Sequence, residues 1–274
     1  MTSTIRTPRH RLRAFLLVLA VASFASSLRA QDPKAIVSAA VTSELNANRI
    51  DHSAFMYRDH DVTPDHDTLY FMVETPQGNL RKKLEDHGHP LSPDQRRADD
   101  AAIQALVSDS SLMQKQRQND QHDGEQAEQM LKLLPVAYIW TIASEKGDLV
   151  TLNFRPDPNF DPSNMEARVL SAMAGQIVVD RDGNRIATIR GSLVDDVKFG
   201  FGILGRLRKG GSFDVERREV APHHWQITES HIHISGRALF FKSIGDQEDE
   251  VKTDFHPSPA QTLQQAQQIL RETH

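Results

Sequence analysis

The stretch Gly175-Gln176-Ile177-Val178-Val179-Asp180-Arg181-Asp182-Gly183-Asn184-Arg185-Ile186-Ala187-Thr188-Ile189 decides the fold. Two runs rich in Ile and Val flank four polar residues, among them a glycine and an asparagine. β-Branched side chains suit a pleated, half-buried surface. A short polar turn between two such runs sends the chain back antiparallel to itself. Residues 176–180 and 185–193 are therefore expected to form a hairpin.

The same grammar repeats outward from this hairpin. Residues 137–143 and 149–154 flank Glu145-Lys146-Gly147-Asp148, and residues 212–220 and 225–235 flank Ala221-Pro222-His223-His224. A long strand is expected over 237–244 and another over 250–255. Nearer the N-terminus, strands are expected over 53–58 and 68–75, with the turn-rich stretch 59–67 between them. Gln77-Gly78-Asn79 then turns the chain into a strand over 80–85. The proline-punctuated segment 155–162 cannot enter a central strand, because proline has no N–H to give to a ladder.

Helices fall in blocks around these strands. Residues 34–48 place Ile36, Ala39, Ala40 and Leu45 on one side. Ser92 caps a second helix with Pro93 at its first position, and Ala98, Ala102, Ile103, Leu106 and Val107 form its stripe. A third is expected over 124–134 with Ala127, Met130, Leu131 and Leu134 inward and Pro135 ending it. A last helix opens on Ser258 and Pro259. Hairpins with helices in blocks define an α+β fold with an antiparallel sheet. About nine strands in one sheet have to curl. The expectation is a single domain over 31–274: a curled antiparallel sheet, or half-barrel, packed on helices, with a helical insertion at about 92–134.

The first 30 residues are of another kind. Arg6, Arg9, Arg11 and Arg13 precede an apolar run over 14–25 and then small residues leading to Leu28-Arg29-Ala30. A basic region, a 12-residue apolar core and a small-residue exit read as a secretory signal peptide, with cleavage after Ser27 or after Ala30. A retained N-terminal anchor is the competing reading, but the run is short of the roughly 20 residues a spanning helix needs. The expected location is the periplasm or the exterior. The 274-residue chain carries a formal charge of −5; without residues 1–30 it holds 27 basic against 37 acidic residues, or −10. That balance argues against a nucleic-acid partner, which needs a basic footprint. The mean hydropathy of −0.50 argues against an integral membrane protein. The chain has no cysteine, which excludes disulfides, thiolate–zinc sites, a thiol nucleophile and a cysteine lipid anchor.

Gly200-Phe201-Gly202-Ile203-Leu204-Gly205 matches G-x-G-x-x-G letter for letter. A dinucleotide site needs that pattern between a parallel strand and a helix. Here a double glycine, Gly210-Gly211, follows among hairpins, so no nucleotide cofactor is inferred. The same segment is a candidate ligand contact for a different reason. From Val197 to Phe213 there is no acid, while Lys198, Arg206, Arg208 and Lys209 are basic and Phe199, Phe201, Ile203, Leu204 and Leu207 are apolar. Cations beside apolar residues suit an amphiphile with an anionic head, although a core strand pair with basic residues reaching outward fits as well.

Histidine is abundant, with 13 residues. His60 and His66 each sit in an Asp-His-Asp triplet, and His231 and His233 alternate along one strand, a spacing able to share a metal. A zinc catalyst wants a third ligand and a base, and H-E-x-x-H is absent. The phase of Trp225 and Ile227 differs from that of Ile232 and Ile234, which predicts a bulge near Glu229. No G-x-S-x-G elbow occurs, and no catalytic residue is assigned.

Export signal, opening helix, hairpins around a helical insertion and a long antiparallel run are similar to the lipoprotein-carrier half-barrel superfamily (LolA/LolB-like and RseB-like). The hairpin Gly175–Asp180 with Arg185–Ile189 resembles that superfamily's paired strands. The likeness covers most of 34–255. Segments 155–160, 199–211 and 236–242 also resemble secreted bacterial envelope proteins of unassigned activity. The superfamily implies a hydrophobic concavity for acyl chains, or a sensor surface for another envelope protein. The insertion over 92–134 is a departure, and the absence of cysteine removes a lipid-anchored receptor. The expectation is a non-enzymatic binding protein for lipid or lipoprotein acyl groups. The alternatives are an envelope metal-dependent hydrolase built on His/Asp clusters and a module that binds an envelope protein.

Overall fold

The computed structural model describes residues 31–199, 205–238 and 247–273. The expected signal peptide, the candidate contacts Phe201, Ile203 and Leu204, and most of the strand expected over 237–244 lie outside the described residues.

Helix α1 (Pro33–Ile50) opens on Asp32, whose carboxylate accepts the Lys34 N–H, with Pro33 at the first position. Its buried stripe is Ile36, Val37, Ala40, Val41 and Glu44. Ala39 is exposed and Leu45 half-buried, so the stripe is rotated from the expected one toward the bulkier valines. Four strands follow: β1 (Phe55–Thr63), β2 (His66–Thr75), β3 (Gly78–Asp86) and β4 (His89–Pro90). The stretch expected to be turn-rich, 59–67, is mostly strand. Its Asp-His-Asp triplets pair across the hairpin: His60 Nε2 lies 2.8 Å from Asp67 Oδ1 and His66 Nε2 3.0 Å from Asp61 Oδ2. Only Pro64 and Asp65 are left to turn.

Helix α2 (Pro93–Ser108) carries the expected cap as a full capping box between Ser92 and Gln95. Of its expected stripe, Ile103 is buried, Leu106 and Val107 are half-buried, and Ala98 and Ala102 are exposed. Helix α3 (Ser110–Ala137) is 28 residues long, beginning well before Gly124 and running through Pro135. Asp109 caps it by accepting the Ser111 N–H at 2.8 Å. Pro135 sits in the last turn, where little helix remains for it to break.

The remaining elements are β5 (Tyr138–Lys146), β6 (Leu149–Pro156), the short α4 (Met165–Leu170), β7 (Met173–Asp180), β8 (Arg185–Leu193), β9 (Val197–Phe199), β10 (Gly205–Leu207), β11 (Ser212–Ala221), β12 (His224–His233), β13 (Gly236–Ala238), β14 (Glu248–Pro257) and α5 (Leu263–Glu272). Thr262, not Ser258, caps α5. The Ser258 hydroxyl instead donates to the Glu74 carbonyl at 2.7 Å, tying the chain to β2.

The fold is α+β with a large antiparallel sheet. Among the described residues eleven strands join in the order β4-β3-β2-β1-β14-β12-β11-β8-β7-β6-β5, and β9, β10 and β13 form a second, three-stranded sheet. The large sheet is open, ending at β4 and β5. The expected bulge is present: Glu216 faces Glu229 and Arg217 faces Ile227, leaving Thr228 extra.

Register places one row of side chains on a single face across ten strands: Ile142, Leu152, Ile177, Ile189, Val215, Ser230, Glu250, Asp61, Thr68 and Asp86. Directly opposed partners share a face. The row is apolar through β11 and polar from β12 onward. Helices α1, α3 and α4 pack on the apolar half, with Val37, Ala40, Leu134 and Leu170 against Leu152, Ile177 and Val179. Val73, five residues from Thr68, lies on the opposite face. There it packs with Leu80 against Ile103 of α2, Met113 of α3 and Leu263, Ala266 and Leu270 of α5. The two ends of the sheet are thus covered on opposite sides. Helix α3 touches β3 near one edge and β5 at the other. Among the described residues no helix is long and apolar enough to cross a membrane.

Candidate functional site

Between α1, the last turns of α3 and strands β8, β11 and β12 lies a cleft of about 450 Å³. Ile186, Ile189, Val215 and Ile227 form its sheet wall, and Leu131, Leu134 and Ala127 its helical wall. Leu131 is half-buried, packing against the core as well as lining the cleft, and Ala127 is exposed. Trp225 borders it, with the Arg185 guanidinium 5.8 Å from its ring centre.

Charged side chains line it as well. Glu44, only 1% exposed, accepts Arg185 Nε at 3.1 Å, Arg185 Nη2 at 2.8 Å and the Ile186 N–H at 2.8 Å. Arg217 Nη1 also bonds Glu44 Oε1 and donates to the Ile186 carbonyl at 3.5 Å. Burial pushes the Glu44 carboxyl upward. The hydrogen bonds from Arg185 and Arg217, the Arg217 charge and the Ile186 N–H outweigh it and hold the group below the ordinary carboxylate range. Asp51, also in the lining, is met by His224 Nδ1 at 2.9 Å and by the Ser53 N–H at 2.9 Å.

The arrangement can hold a chain-like apolar group against β8, β11 and β12 with its polar end near two arginines. The titratable groups lining the cleft are Glu44, Asp51, Arg185 and Arg217, and the Ser53 hydroxyl hydrogen-bonds Asp51, which also meets His224.

The segment singled out in the sequence lies elsewhere. Leu207 is buried in the same core as Val197 and Ile234, and does not line the cleft. Arg206, Arg208 and Lys209 are exposed. The acid-free stretch finds its counter-charge just outside itself: Asp196 pairs with Arg206 and accepts the Lys209 N–H at 2.9 Å. Of Phe199 only the backbone is described, opposite Gly205. His231 and His233 do converge, but on a carboxylate: Asp249 Oδ1 lies 2.7 Å from His231 Nδ1 and 2.9 Å from His233 Nε2. Among the described residues no three His, Cys, Asp or Glu side chains stand in a metal-holding arrangement.

Glu44, Arg185 and Arg217 went unread in the sequence. Glu44 had a signal, since it continues the helical phase of Ile36, Val37, Ala40 and Val41. Arg185 and Arg217 had none, because register alone brings them to it. A second polar group escaped notice at the β1–β14 seam, where Asp59, Asp61, Glu248 and Glu250 gather around Lys252 on the polar half of the row. Burial, then Glu250 and Asp61, push Asp59 up to about 7 against the opposing Lys252 charge.

No protein-family model, curated protein or solved structure matches the chain.

Proposed function

We propose that this protein binds a lipid, or the acyl group of a lipidated protein, without catalysing a reaction. Binding occurs in the cleft beneath α1 and α3. The observation that carries this reading is the cleft itself, whose volume falls within the roughly 300–1,000 Å³ typical of small-ligand sites. Its lining combines aliphatic side chains from the sheet and from the helices with a few hydrogen-bonded charged groups, the pattern expected for an amphiphile. The sheet is read as a half-barrel with this face concave. Support comes from α3, which reaches from β3 to β5, with Gln116 Nε2 and Arg117 Nη1 each 3.3 Å from carbonyls at the β3 turn. The signal-like N-terminus supports a location in the envelope, where acyl chains would be neighbours, and the resemblance to lipoprotein carriers points the same way.

Native mass spectrometry of the tag-free protein from residue 31, with solvent extraction and lipid analysis, tests this. A bound mass removed by organic solvent, with the emptied protein then taking up a fluorescent fatty-acyl probe, is expected. Protein that carries no lipid and takes up no probe refutes the reading.

A further inference from the structure

We propose that the cleft selects a long-chain carboxylate, its headgroup seated on the open edge of Arg217. The inference rests on the reading of the cleft as a chain site and adds the class of molecule that fills it.

Glu44 is saturated: two bonds from Arg185, one from Arg217 and one from the Ile186 N–H occupy its lone pairs. Within this cluster one carboxylate stands between two guanidiniums, and with Asp51 the four charges lining the cleft sum to zero. The other acid lining the cleft, Asp51, is engaged by His224 and Ser53. Arg217 commits Nη1 to Glu44 and to the Ile186 carbonyl. Among the described residues its Nε–Nη2 edge has no partner. That is the edge that grips a carboxylate through two parallel N–H···O bonds.

Arg217 lines the cleft, and its side chain is 16% exposed, so it is sheltered yet reachable. Ile189, Val215 and Ile227 continue the wall beside it and offer the apolar track for the chain. A carboxylate pairs with the open Arg217 edge, a neutral head offers that edge no opposite charge, and a cationic head is repelled by it in a site poorly screened by water.

The test is titration calorimetry on the delipidated protein from residue 31 with palmitate, 1-hexadecanol, hexadecylamine and hexadecyl phosphate. Palmitate should bind about tenfold tighter than the alcohol, the advantage of one charge-assisted pair. Arg217→Met should bring palmitate down to the alcohol's affinity and leave the alcohol unchanged. Arg217→Lys keeps the charge without the planar edge and should lose about threefold for palmitate, which decides the matter if circular dichroism shows Arg217→Met unfolded. Equal binding of palmitate and hexadecanol by the wild type overturns the headgroup assignment while the chain site stands. Tighter binding of hexadecyl phosphate or hexadecylamine overturns it too. Binding of none of the four removes the chain site itself.

Discussion

Glu44 on α1 and Arg185 on β8, 141 residues apart in the chain, meet as a two-point ion pair, Nε to Oε1 at 3.1 Å and Nη2 to Oε2 at 2.8 Å. The pair fixes the helix over the sheet beside the cleft. Glu44→Gln leaves two sheltered guanidiniums without a counter-charge, and breaking such a buried pair costs about 3–5 kcal/mol. Urea unfolding should show that loss as a lowered midpoint with little change in slope. Because the folded Glu44 titrates below its unfolded counterpart, its contribution is present above the ordinary carboxylate range and disappears as pH falls through the folded value. The mutant and wild-type stabilities should therefore converge in acid. A constant gap down to pH 2 would contradict the assignment.

Asp59 behaves in the opposite sense. It is 6% exposed, and burial followed by Glu250 and Asp61 raises it to about 7. A carboxyl raised on folding supports the fold below its unfolded value near 4 and loses that support as pH climbs through the folded value. Asp59→Asn keeps the shape and removes the charge. Its melting temperature is expected to match the wild type below pH 4, to exceed it by a margin that widens between pH 4 and pH 7, and to stand several degrees above it at pH 8, since about 1 kcal/mol moves a chain of this size by about 2–4 °C. Differential scanning calorimetry across pH 3–8 measures this, and a wild type with the higher melting temperature at pH 8 would rule it out.

Strand order was legible where side chains alternate and turns are polar, as in β7–β8 and β5–β6, because both signals are local. Local signals failed wherever a distant partner decided the outcome. Residues 59–67 read as turn because Asp and His are poor strand formers alone, yet each finds its counterpart across the β1–β2 hairpin. Ser258 and Pro259 read as a helix start, but the Ser258 hydroxyl is held by the Glu74 carbonyl and Thr262 caps α5. Helix α3 read as starting at Gly124 because its first half is polar all round, and only Met113 shows where it docks. The cleft was illegible for the same reason. Its arginines lie on two strands, and its helical wall comes from an insertion whose Ala127 and Leu131 read simply as core.

Gly175 and Gly191 are register partners on β7 and β8, and the requirement for glycine there is steric. A Cβ at Gly175 would stand 2.0 Å from the Arg190 carbonyl oxygen and 2.5 Å from the Gly191 Cα. These are backbone atoms of the neighbouring strand and cannot swing aside. Gly175→Ala should force these two neighbouring strands apart. A loss of more than about 2 kcal/mol is expected, above the usual effect of a surface strand substitution. Chemical denaturation gives the value. A variant as stable as wild type would mean that the strands pack less closely than described.

Ile189 stands on β8 at the boundary between the packed core and the cleft, half-buried and lining the open space. Enlarging a fully packed side chain strains a core by about 1–3 kcal/mol. Ile189 has room on its cleft side, so Ile189→Trp should place most of its added bulk where a ligand chain would lie. The expected result pairs a small change in melting temperature with at least tenfold weaker uptake of a fluorescent fatty-acyl probe. Enlarging an exposed cleft-remote residue, as in Thr141→Trp on β5, should leave uptake unchanged. Full uptake by Ile189→Trp would show that chains bind elsewhere, and the three-stranded β9–β10–β13 sheet with its basic and apolar residues would become the next place to test.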